Sequence, residues 1–108
     1  SLNNFITIRE LLKDYAPETF RFFVLSTHYR SPIDFSKDSL HQSEKSLDRI
    51  RKYYELLDVE VAEEFSSDYE VLDKWSKEFF DSMDDDFNTP KAIAAIFGLI
   101  NDSKNDLE

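Results

Sequence analysis

The sequence predicts a mainly α-helical protein, and three observations carry that prediction. Glycine occurs once in 108 residues; a typical protein has roughly 7%, so most tight-turn β architectures, glycine-rich phosphate loops and dinucleotide fingerprints are removed. Apolar residues recur at spacings of three, four and seven rather than two. Several of these periodic stretches are preceded by the hydroxyl, carboxylate or proline signals of a helix start. A hydrophobic share of 41%, with ten Phe, can build a core despite 33% charged residues, so the chain reads as a folded object. Its length allows one domain, or a small domain with an appendage.

In chain order, Thr7-Ile8-Arg9-Glu10 sets a hydroxyl and a carboxylate three apart, a reciprocal cap for a short helix reaching about Tyr15. Pro17 and Glu18 open a second helix running to near Tyr29. Phe20, Phe22, Phe23, Val24 and Leu25 surround that helix, which predicts burial between layers. Ser31-Pro32-Ile33-Asp34-Phe35 alternates beside a proline and reads as an extended segment or short edge strand, with a boundary following it. From Ser36 a long helix follows, its seam at Leu40, Leu47, Tyr54 and Val61 with Ile50 and Leu57 alongside. The acidic, weakly periodic stretch 60–67 ends it. Asp68 caps the next helix, where Leu72, Trp75, Phe79 and Met83 share a face and make Trp75 a core residue. Asp84-Asp85-Asp86-Phe87 interrupts the pattern, and Asn88 or Thr89 before Pro90 starts a last helix carrying Ala92, Ile93, Ile96, Phe97 and Ile100. Gly98 inside it costs about 1 kcal/mol relative to Ala, which a close contact would explain.

Functional chemistry is sparse. Without Cys there are no disulfides or thiolate metal sites, which fits a reducing compartment. No apolar run approaches the ~20 residues that cross a bilayer, and the opening residues do not read as a signal peptide. His28 and His41 fall on different segments without metal-ligand spacing; His41 with Glu44 reads as a solvated i,i+3 pair, and His28 as structural. No Ser sits in a nucleophile's context. Asp84-Asp85-Asp86 lacks the alternation, Gly and distal Glu of a calcium loop and reads as a solvated turn before a helix start.

The net charge of −10 is unevenly spread: residues 1–54 carry nine basic and seven acidic side chains, residues 55–108 four and sixteen. Only the first half is suited to phosphate. Within it Lys45, Arg49 and Lys52 form a stripe at i, i+4 and i+7 on the long helix. The stripe is either a surface that follows a phosphate backbone or a solubilising face paired with Asp48 or Glu44. The opening Ser1-Leu2-Asn3-Asn4 without Met, and a close at Glu108 without tail composition, suggest a piece of a longer chain.

Three strings resemble one family. Ser1-Leu2-Asn3-Asn4-Phe5-Ile6-Thr7-Ile8-Arg9-Glu10-Leu11-Leu12 is similar to the segment that begins at the final Ser of the K-M-S-K-S loop in cysteinyl-tRNA synthetases. Leu25-Ser26-Thr27-His28-Tyr29-Arg30-Ser31-Pro32-Ile33-Asp34-Phe35 and Asp84-Asp85-Asp86-Phe87-Asn88-Thr89-Pro90-Lys91-Ala92 resemble two further stretches of that family, in the same order. Asn3 stands where Gly is common, and Ala16 where an Asp cap is frequent. Residues 55–69 carry no motif.

The resemblance implies a stem-contact subdomain at 1–35 and, at 36–108, a helical bundle of the class I synthetase anticodon-binding type. It implies a cytoplasmic parent enzyme that joins cysteine to its tRNA through an ATP-dependent aminoacyl-adenylate, with zinc selecting the thiol. The nucleotide-binding fold, the zinc site and the loop lysines would lie upstream, leaving Ser1 as a remnant of the ATP loop and this piece inactive by itself. Its partner would be the tRNA for cysteine, gripped through Lys45, Arg49 and Lys52, with neither DNA nor a membrane involved. Two alternatives stand: the related cysteine ligase of mycothiol biosynthesis, which shares the loop and bundle but accepts an amino sugar, and a free-standing helical interaction module.

Overall fold

The computed structural model describes residues 6–60 and 69–107. Five helices account for them: α1 (Ile8–Asp14), α2 (Pro17–Leu25), α3 (Lys37–Glu60), α4 (Tyr69–Asp84) and α5 (Thr89–Leu107). Ser1, Val61 and Asp68, with most of the acidic stretch 60–67, lie outside the described residues.

The helix starts obey their local chemistry. Thr7 Oγ1 accepts the Glu10 N–H at 3.2 Å, which is one half of the expected reciprocal cap of α1. Pro17 occupies the first position of α2, where its missing N–H is harmless. At α3 the cap is reciprocal and built from two serines: the Ser39 N–H donates to Ser36 Oγ and the Ser36 N–H to Ser39 Oγ, each at 3.0 Å. Asn88 caps α5 through its side chain, which accepts the Lys91 N–H at 3.3 Å.

α2 ends at Leu25, one turn before the expected Tyr29. The Ser26 hydroxyl donates back to the Phe22 carbonyl at 2.8 Å, and such local bonds compete with helix continuation. The helix is also not enclosed. Thr19 and Phe23 are buried and Phe20 and Phe22 half-buried, but Leu25 is 48% exposed. The first core is one-sided: Leu11, Phe23 and Leu40 meet, and Ile6, Tyr15, Phe20 and Phe35 pack around them. Residues 32–35 belong to neither a helix nor a strand, so the short edge strand is not formed. Their function in packing falls to Phe35, whose ring meets Phe23 edge-on at 6.0 Å.

The seam of α3 departs from the expected one. Leu40 is fully buried and Leu47 and Ile50 half-buried, but Tyr53 is buried at 7% exposure while Tyr54 stands 71% exposed. At about 100° per residue, Tyr53 lies roughly a third of a turn round from Leu47. α3 serves two partners on different sides: α2 near its start, and α5, met through Arg49, nearer its end. A single heptad seam fits one partner only.

α4 and α5 form an antiparallel hairpin. Ala92, Ala95, Ile100 and Ser103 are buried on α5, and Ser82 on α4. Small residues let the two backbones approach, and Gly98 is the extreme case: a Cβ there would overlap Cη2 and Cζ3 of Trp75 and lie 2.8 Å from Cε3. Trp75 is therefore an interhelical anchor, though half-buried rather than enclosed. Its Nε1–H donates to Asp102 at 2.7 Å, and Lys74 Nζ lies 4.6 Å from the ring centroid. Phe79 is half-buried on the same line, whereas Leu72 is 48% exposed. Leu72 lies about one turn before Trp75, toward the start of α4.

Candidate functional site

The basic stripe lies on the side of α3 away from Leu40. Lys45, Arg49 and Lys52 are all exposed, and with Asp48, Tyr53 and Leu56 they line an open depression. The nearby carboxylates form no ion pair with the stripe: Asp48, which shares the depression, lies 4.0 Å from Arg51, and Glu44 lies 3.9 Å from His41, an ion pair only when that imidazole is protonated. No ion pair among the described residues involves Lys45 or Lys52. Arg49 is partly committed: its guanidinium donates to Asn101 Oδ1 and lies 5.2 Å from the Phe97 ring centroid. Both partners are neutral, so its charge is not cancelled. Stacking on a ring also removes rotamer freedom that a phosphate contact would otherwise have to freeze.

A second constellation joins two strings that are far apart in the chain. The turn from α4 into α5, residues 85–88, holds Asp86 at φ 55° and Phe87 at φ 53°. Left-handed backbone costs a residue with a Cβ roughly 1–2 kcal/mol, Asp tolerating it better than Phe. The conformation wraps the chain so that the Asn88 N–H reaches the Ser82 carbonyl at 3.0 Å and the Phe87 N–H reaches Met83 at 3.1 Å, which satisfies the end of α4.

The same conformation turns Asp86 toward the segment after α2. The Tyr29 hydroxyl donates to Asp86 Oδ1 at 2.6 Å. Arg30 Nε–H donates to Tyr29 Oη at 2.9 Å, and Nε forms an ion pair with Asp86 Oδ2 at 3.1 Å. His28 Nε2 lies 3.0 Å from the Asp86 carbonyl, and its Nδ1 accepts the Arg30 N–H at 3.1 Å, which requires the proton on Nε2. His28 is thus structural. Asp86 belongs to this clasp and not to a free acidic cluster. The exposed Arg30–Asp86 pair taken alone is worth at most about 1 kcal/mol, so the significance of the clasp is geometric.

The clasp has a titration signature. Its carboxylate acceptor raises the Tyr29 phenol above the ordinary value of 10.0, with Arg30 opposing this less strongly. For a group raised on folding, the stabilising contribution is complete below the ordinary value and disappears as pH rises through the folded one. In a chain carrying labelled tyrosine rings, the resonance lost in Tyr29→Phe should titrate above the ordinary value, and Asp86→Asn should bring it down. An unmoved titration in Asp86→Asn would show that the bond does not form.

Comparison with known families follows these elements. Residues 1–45 match the tRNA synthetases class I (C) catalytic domain, and residues 78–105 match the DALR domain. The chain therefore carries a stretch of a class I aminoacyl-tRNA synthetase that runs from the catalytic domain into an all-helical one. Among curated relatives, the cysteine–tRNA ligase of Thermococcus onnurineus is 43% identical over 113 residues, covering 94% of this chain and 23% of that protein. Those of Hydrogenovibrio crunogenus and Lachnospira eligens are 44% and 43% identical, covering 92% and 93% of this chain and 20% and 23% of theirs. The chain belongs to the cysteine–tRNA ligase family and spans less than a quarter of the length of these relatives.

The residues in hand do not fit the zinc that this family implies. With no Cys in the chain a thiolate zinc site cannot be built, and among the described residues no three His, Asp or Glu side chains are grouped to hold a metal ion. No described helix is long and apolar enough to cross a membrane. Local sequence patterns do not reveal the clasp, because its residues are 57 and 58 positions apart. The only available signal was that the strings around His28 and Asp86 both resemble the same family.

Proposed function

We propose that this segment positions tRNA within a cytoplasmic enzyme that attaches cysteine to its tRNA, with ATP and zinc bound by parts of that enzyme outside these residues. The observation that carries the reading is the Lys45–Arg49–Lys52 stripe, three exposed cations on one side of α3 with no ion pair to a carboxylate among the described residues. The names of the relatives support the same reading. Residues 1–35 act as the stem-contact subdomain and 36–108 as a partial anticodon-side bundle. α3 is the beam between them, since its Leu40 completes the first core and its Arg49 meets α5. A stiff beam fixes how far the tRNA 3′ end reaches, and misplacing reacting groups by about 1 Å can cost ~100-fold in rate. The acidic half disfavours RNA placed on the wrong face by like-charge repulsion.

The test uses a full-length ligase carrying this segment, assayed for cysteine-dependent pyrophosphate exchange and for charging of cysteine tRNA. Both activities are expected, and neither is expected from the 108-residue chain alone. Exchange without charging, together with transfer of cysteine to an amino sugar, would instead identify the mycothiol-type ligase. Loss of neither activity when the segment is deleted would leave a separate interaction module.

A further inference from the structure

We propose that Asp86 is a positioning residue: the Tyr29–Asp86–Arg30–His28 clasp locks the α4–α5 hairpin to the segment following α2, so that RNA held on α3 is presented in one orientation to the transfer step. The proposal deepens the tRNA reading and rests on it for its kinetic half. Its structural half stands on the clasp alone.

Four features point to a lock rather than an incidental surface contact. Asp86 uses both carboxylate oxygens and its carbonyl on three consecutive residues, Tyr29 at 2.6 Å, Arg30 at 3.1 Å and His28 at 3.0 Å. Three bonds in different directions fix an orientation, whereas one would allow pivoting. The clasp is also internally braced, because Arg30 donates to Tyr29 at 2.9 Å while the His28 and Tyr29 rings stack at 4.7 Å. Phe87 is held in a left-handed conformation while 65% exposed, so its side chain gains little from a site it occupies at a backbone cost. Finally, among the described residues no core cluster is shared by α2 and the α4–α5 hairpin, and α3 packs against α2 and α5. Without the clasp, the hairpin's angle to the first module would depend on the α3–α5 contact at Arg49.

The predicted signature is a loss confined to transfer. In the full-length ligase, Asp86→Gly removes the carboxylate while accepting the left-handed backbone without penalty. It should lower single-turnover transfer of cysteine to tRNA by about tenfold or more, within the range that ångström-scale misplacement produces. Cysteine-dependent pyrophosphate exchange and tRNA affinity should stay at the unaltered level. Tyr29→Phe should act in the same direction but less. Asp86→Asn, which still accepts the Tyr29 hydroxyl and tolerates the turn, should restore part of the rate. Asp85→Asn, the same charge change one residue away, should have no effect.

A readout independent of activity uses the absence of Cys from this chain. Spin labels on cysteines introduced at the exposed Arg21 and Lys91 should give a narrow distance distribution, and Asp86→Gly should broaden it. A distribution unchanged by Asp86→Gly overturns the lock. Unchanged transfer overturns the positioning role, as does a parallel fall in exchange, affinity and transfer, which would mark a merely structural residue. If the unaltered ligase charges no tRNA, the functional reading fails and the kinetic half with it, while the label distances still decide the lock.

Discussion

Trp75→Ala should lower the unfolding free energy of the chain by about 3 kcal/mol, close to the lower end of the ~3–5 kcal/mol measured for aromatic truncations in cores. The ring is half-buried, which argues against the upper end, but its environment cannot collapse to fill the space. It lies directly on Gly98, which has no side chain to move into the vacancy, and the small Ala95 is one turn earlier on the same helix. The substitution also leaves the Asp102 carboxylate without its indole donor. Trp75→Phe separates the contributions: it keeps most of the ring contact but loses that bond, so a smaller cost of about 1 kcal/mol is expected. Denaturant titration followed by far-ultraviolet circular dichroism reads both. Since whole domains are stable by only ~5–15 kcal/mol, the alanine variant should show a midpoint shift that is hard to miss. An unchanged midpoint would mean that the α4–α5 hairpin does not depend on its anchor.

What the sequence conveyed and what it did not divide along physical lines. Helix starts were legible because a cap is a local event: Thr7 with Glu10, Pro17, and Asn88 before Pro90 act within one turn of themselves. Gly98 was legible in kind, since a glycine inside a helix implies a close approach, although its partner Trp75 was not. Failures occurred where burial depends on a distant element. A single seam through Leu40, Leu47 and Tyr54 suits one partner, whereas α3 also meets α5 through Arg49, and Tyr53 rather than Tyr54 is buried. α2 is apolar all round, which predicts enclosure, yet the described elements cover only one side of it. For the site, the stripe's spacing followed from helical geometry. Whether Lys45 and Arg49 would pair with Glu44 and Asp48 did not, because each carboxylate has several side chains within reach, and the two lie within 4 Å of His41 and Arg51 instead. Asp86 was placed in a solvated turn on local grounds, and only the fold brings Tyr29 and Arg30 to it.

The claim that α3 meets tRNA phosphates is tested most directly by the salt dependence of tRNA binding to a full-length ligase carrying this segment. Each phosphate contact contributes about 0.7–0.9 to the slope of log K against log salt. Replacing Lys45, Arg49 and Lys52 together by Ala should reduce the slope by roughly two to three. Replacing only the two lysines should reduce it by roughly one and a half to two, Arg49 remaining on Phe97. Lys77→Ala with Lys91→Ala is the control for general loss of charge. Lys77 is already paired with Asp81 at 3.0 Å, which raises its pKa, and Lys91 borders an acid-rich depression on the hairpin. Melting curves exclude loss of fold, since long basic side chains also cover apolar surface. A reduced slope in the triple variant with the control unchanged is the predicted result. Equal slopes for the triple variant, the control and the unaltered ligase would contradict the account, and would make the stripe a solubilising helix face.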